Sequence, residues 1–96
     1  MKRQNDQTLG EVLKNWIDEN RLQSTLHETK IRQLWGKLMG KTIATYTSGI
    51  SVRKNVLYLT ILSAPLKQEL SFSKDKIRKL MNGELGEEFI RDVVIR

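Results

Sequence analysis

Cysteine is absent from this sequence, proline and histidine occur once each, and aromatic residues make up only 6% of it. Without cysteine there is no disulfide, thiolate metal site or cysteine nucleophile. Small secreted domains usually depend on disulfide staples, so the chain is expected in a reducing interior, the cytoplasm. Long apolar runs are missing too. The longest candidate, from Ala44 to Leu62, is broken by Arg53, Lys54 and Asn55 and makes no membrane span. The opening Met1-Lys2-Arg3-Gln4-Asn5-Asp6-Gln7 starts basic, as secretion signals do, but no apolar segment follows it.

Catalytic equipment is equally sparse. His27, between Leu26 and Glu28, reads as a surface residue, and with no second histidine and no clustered carboxylates a catalytic zinc is not expected. No serine sits in a Gly-x-Ser-x-Gly elbow, and no Gly-x-x-x-x-Gly-Lys phosphate loop is present. A domain of 96 residues buries only about 60–65% of its unfolded surface, too little for a two-lobed cleft. The chain is expected not to be an enzyme and to need no cofactor or metal.

What is present is periodicity. Thr8-Leu9-Gly10-Glu11 has capping-box spacing, and Leu9, Val12, Leu13, Trp16 and Ile17 follow at helical intervals. This predicts a helix over Leu9–Asn20, closed by the polar Asp18-Glu19-Asn20-Arg21. A second helix is expected from Thr25, with Leu26, Ile31, Leu34, Trp35 and Leu38 on one face and a bend at Gly40. The period then drops to two. Ile50 and Val52, then Leu57, Leu59 and Ile61, predict a hairpin with Arg53-Lys54-Asn55 at its tip. Ser63-Ala64-Pro65 opens another helix, carrying Leu66, Leu70, Ile77, Leu80 and Met81 and stopped at Asn82-Gly83. That stripe has a fault at Ser71–Ser73, where either the helix breaks or Phe72 packs outside the core. Phe89–Arg96 reads as the last strand. The expectation is therefore α+β in the order α-α-β-β-α-β: a flexible start over residues 1–8, then one domain, 9–96, with a small three-stranded sheet covered by helices on one face.

The charge of +6 is uneven. Thr29–Asn55 holds Lys30, Arg32, Lys37, Lys41, Arg53 and Lys54 and no acid, whereas Asn82–Asp92 sets Glu84, Glu87, Glu88 and Asp92 against Arg91. A one-sided field of this kind attracts polyanions. On a helix Lys30, Lys37 and Lys41 would stay within about 40° of one another, and Arg53 and Lys54 would protrude at the hairpin tip. These five are the candidate nucleic-acid-binding residues, and Tyr58, alternating away from the buried strand face, is a candidate for stacking on a base. Lys74, Lys76, Arg78 and Lys79 form a second cluster, partly compensated by Asp75.

Taken together, Trp35-x4-Gly40-x2-Ile43-Ala44, Asn55-x-Leu57-x-Leu59-x-Ile61, Ser63, Glu69-Leu70, Ile77, Asn82 and Ile90-x-x-Val93-x-Ile95-Arg96 resemble the DciA-like family. The resemblance runs from Leu9 to Arg96. It implies a bacterial, K-homology-like domain that binds DNA without strong sequence preference and contacts the replicative helicase, DnaB. Trp35 and Gly40 would be structural within it. The alternatives are a protein–protein adaptor with a basic face, or an RNA-binding module acting near the ribosome.

Overall fold

The computed structural model describes residues 8–96 apart from the side chains of 14–18. The expected apolar-stripe positions Trp16 and Ile17, and residues 1–7 of the expected flexible start, lie outside the described residues.

The Thr8 hydroxyl accepts from the Glu11 amide at 3.2 Å and opens helix α1, Leu9–Met39. The expected stop at Asn20 does not occur. Asp18-Glu19-Asn20-Arg21 contains neither glycine nor proline, so nothing breaks the ladder, and the two expected helices are one. The bend comes where Gly40 adopts φ 95°, a left-handed conformation that side chains resist. The short helix α2, Lys41–Tyr46, follows and feeds strand β1, Thr47–Arg53. Lys54 and Asn55 have φ of 50° and 67°, the signature of a type I′ turn, and deliver the chain into the antiparallel strand β2, Val56–Ile61.

The Ser63 hydroxyl caps helix α3, Ala64–Ser71, by accepting from the Leu66 amide at 3.3 Å. The fault in the apolar stripe is a real break: Phe72 stands exposed in the turn, and helix α4 runs over Lys74–Leu85. That helix passes the expected stop at Gly83, because Leu85 still packs on the core. The left-handed cap falls to Gly86, with φ 78° and its amide on the Asn82 carbonyl. Strand β3 is Asp92–Ile95, shorter than expected, and pairs parallel with β2, giving the sheet order β1-β2-β3. The parallel pairing is possible because α3 and α4 form the crossover between the two strands.

The fold is thus α+β, compatible with a K-homology-like arrangement. Ile50 and Val52, Leu57, Leu59 and Ile61, Val93 and Ile95 make the inner row of the sheet, packed with Ile31, Trp35, Leu70, Ile77, Met81, Phe89 and Ile90. The outer row, with Tyr58 between Ser51 and Val94, is only half-buried. Five positions on the expected apolar stripes are not core: Leu9, Val12 and Leu13 at the start of α1 are exposed, as are Leu26 and Leu80. Leu26 is exposed because five residues from Ile31 is about 140° round the helix, and Leu80 lies at the margin of α4's buried face. The molecule measures 60 × 21 × 20 Å because α1, about 46 Å long, runs well past the sheet.

Candidate nucleic-acid interface

The helix α1 and the hairpin meet along the free edge of β1. Glu28 accepts from the Val52 amide at 2.8 Å, and Arg32 donates to the Ile50 carbonyl at 2.8 Å, so two side chains of α1 satisfy main-chain groups that an edge strand leaves open. This fixes which flank of α1 faces the hairpin. Where the helix passes the turn, a groove of about 880 Å³ opens, walled by Arg21, Ser24 and Thr25 on α1, Arg53, Lys54 and Asn55 at the tip, and Arg91.

Three separate segments therefore bring four cations to one groove. Among the described residues, none of the four is ion-paired to a carboxylate. Glu28, the acid in the groove, is committed to Val52 and to Arg32 at 3.4 Å. Such a set can hold successive phosphates of a nucleic-acid backbone, because each guanidinium or ammonium offers donors with no carboxylate to compete.

The expected site residues divide. Arg53 and Lys54 are exposed and line the groove. Lys30 stands two residues from both Glu28 and Arg32, hence about 200° round the helix from each, on the far flank; Lys37 is about 20° from Lys30. Lys41 does not continue that stripe, since Gly40 breaks the helical register before it. Arg21 and Arg91 were missed. Arg91 could have been found from topology: a last strand parallel to β2 must begin beside the hairpin tip, and the Arg91 amide does bond the Asn55 carbonyl at 2.8 Å. Arg21 was hidden by the helix end expected at Asn20.

Other elements have structural duties. Asn55 donates to the Phe89 carbonyl at 2.9 Å, and the Asn82 amide group pairs with both main-chain groups of Ile90, at 2.7 and 2.8 Å, so the segment leading to Arg91 is held at two points. His27 is not the free surface residue expected: its side chain is 15% exposed, lies edge-on to Phe89 and meets Glu87 at 3.2 Å. Trp35 is 2% exposed and donates to the Thr47 hydroxyl at 2.9 Å.

The later basic cluster is compensated. Asp75 meets Arg78 at 2.8 Å and Lys79 at 3.3 Å, and Arg78 also reaches Glu88. The hydrogen bond from Arg78, then that from Lys79, lowers the Asp75 pKa; the same Asp75 contact raises that of Arg78.

Two motifs expected to be absent, Ser-x-x-Lys and Gly-x-x-Gly, are in fact present in the sequence, but neither has the setting of a catalytic or phosphate site. Ser-x-x-Lys spacing occurs at Ser51–Lys54, Ser71–Lys74 and Ser73–Lys76, but the Ser71 hydroxyl donates to the Lys67 carbonyl, Ser51 lies in a strand with Lys54 in the turn, and Ser73 is the N-cap of α4 with Lys76 exposed in its first turn. Gly83-Glu84-Leu85-Gly86 has the glycine spacing of a K-homology phosphate loop, yet it forms the end of α4 and is flanked by Glu87 and Glu88, which repel phosphate. Among the described residues no group of histidine, aspartate and glutamate could hold a metal ion, and no helix is long and apolar enough to cross a membrane.

No curated protein and no solved structure shows a significant match to the sequence. A family model, described as Dna[CI] antecedent, DciA, matches residues 8–95. With nearly the whole chain matched, from the capping threonine to the last strand, the chain belongs to the DciA family.

Proposed function

We infer that this protein is a non-catalytic accessory factor of bacterial DNA replication that binds DNA through the groove between α1 and the hairpin and contacts the replicative helicase, DnaB. The family supports the replication role, since it is related to loading of that helicase. The observation that carries the DNA reading is the convergence of Arg21, Arg53, Lys54 and Arg91 on one groove whose single acid is engaged elsewhere. Lys30 and Lys37 serve as a second, weaker strip along the far side of α1, reached by DNA long enough to pass over it, and Lys41, at the start of α2, stands apart from it.

Four phosphate contacts give a log–log salt slope of about −3 to −4, from roughly −0.7 per contact on single strands and −0.9 on duplex. Binding of short DNA, measured by fluorescence anisotropy across a salt series, tests this. Arg53→Glu with Lys54→Glu should weaken binding far more than Lys74→Glu with Lys76→Glu, although both pairs change net charge equally. All four positions are exposed, so neither pair should unfold the domain. A flat salt response would sink the reading and favour the adaptor alternative; equal losses would leave only nonspecific attraction.

A further inference from the structure

Beyond Arg53, the groove makes no use of the sheet's outer surface. Tyr58 stands at its centre, paired across to Ser51 on β1 and Val94 on β3, and the Arg96 guanidinium lies 4.9 Å from the centroid of its ring. Arg53, Tyr58 and Arg96 together wall a small hollow of about 110 Å³. The helices bury their apolar faces against the inner row, so this side of the sheet carries an aromatic ring between two exposed arginines instead of a packed layer. The acid on the same face, Asp92, accepts from the Val93 amide at 2.8 Å. An aromatic ring beside a planar cation is a surface on which a nucleobase stacks, and flanking cations suit the phosphates on either side of that base. Arg53 lines both the hollow and the groove, so the two surfaces are continuous.

We propose that the outer sheet face is a base-stacking subsite, in which Tyr58 and Arg96 hold an unpaired base while Arg53 passes the strand on to the groove. The assignment rests on the nucleic-acid reading above and narrows its ligand to single strands, because bases stacked inside a duplex present no free face.

The experiment compares an oligothymidylate with an abasic oligomer of equal length, which keeps the phosphates and lacks the bases. The wild-type protein should prefer the thymidine oligomer by about 5- to 150-fold, the range that one stacked base supplies. Tyr58→Leu should bring its affinity down to that of the abasic oligomer, whereas Tyr58→Phe should keep the preference. If thermal melting shows Tyr58→Leu misfolded, Arg96→Gln at its exposed position takes its place and should shrink the preference while leaving most abasic binding. Equal wild-type affinity for the two oligomers overturns the subsite and leaves the groove standing. Binding to neither overturns the groove as well.

Discussion

Replacing Asn82 should reveal how the core positions Arg91 at the candidate groove. Its side chain is 4% exposed and holds Ile90, itself 1% exposed, by donating to the carbonyl at 2.8 Å and accepting from the amide at 2.7 Å. Asn82→Ala strands both main-chain groups away from water. At about 1–3 kcal/mol for each unsatisfied buried group, the loss is about 2–6 kcal/mol. A domain of this size has roughly 5–14 kcal/mol in all, so the variant should be marginal. Asn82→Asp separates the two bonds. Its carboxylate still accepts from the Ile90 amide, but it faces the Ile90 carbonyl with no proton to donate, and burial raises its pKa above the unfolded value. The protonated form can donate to that carbonyl, so stability is present below the unfolded pKa and is lost as pH rises through the folded one. Urea melts at neutral and mildly acid pH, each referenced to wild type at the same pH, should therefore show Asn82→Asp regaining part of its deficit in acid while Asn82→Ala regains none. Because Arg91 follows Ile90 directly, DNA affinity of the folded fraction should fall as well. A loss below about 0.5 kcal/mol for Asn82→Ala, or no recovery of Asn82→Asp in acid, would refute this account of the residue.

Trp35→Ala should cost about 3–5 kcal/mol and leave the domain largely unfolded in denaturant melts, while Trp35→Phe, which loses chiefly the bond to Thr47, should cost about 1–2 kcal/mol. Comparable stability of the alanine variant would mean that the core does not close around this ring. The Asp75 carboxyl should titrate below the usual carboxylate range when followed by NMR, because Arg78 and Lys79 hold its charged form. Its contribution to stability is present above the unfolded pKa and disappears as pH falls through the lowered folded one. An ordinary titration for Asp75 would show that those contacts do not persist in solution.

The fold was legible wherever a local pattern decided it. Alternation from Ile50 to Ile61 marked the hairpin, and Lys54-Asn55 lie where the turn requires left-handed backbone. Ser63 and Pro65 marked the start of α3, and the misplaced Ser73 marked the break before α4. Boundaries failed where polarity was taken for a stop signal. The stretch 18–21 is polar but helix-compatible, and Gly83 is tolerated inside α4 because Leu85 still reaches the core. Half of the candidate groove was legible as well, since a hairpin tip is exposed by construction. The other half depends on which segments the tertiary fold lays beside that tip, and no local pattern carries that information.

Arg91 shows why charge counted along a sequence misleads. Glu87, Glu88 and Asp92 all lie within four residues of it, so the segment reads as acidic and the arginine as cancelled. In the folded chain each of those acids is turned to another partner. Glu87 accepts from Gln23 and meets His27, tying the loop to α1; Glu88 reaches Arg78 and Asn82 on α4; Asp92 bonds the Val93 amide. The contacts of Glu87 and Glu88 that anchor the loop thus turn their carboxylates toward partners other than its one cation. The two-point hold of Asn82 on Ile90 and the bond from Asn55 to Phe89 then bring Arg91 to the hairpin tip. The potential in the groove depends on which acids the fold engages elsewhere, so Arg91 is grouped in space with Arg53 and Lys54, far from it in sequence, and not with its own neighbours in the chain.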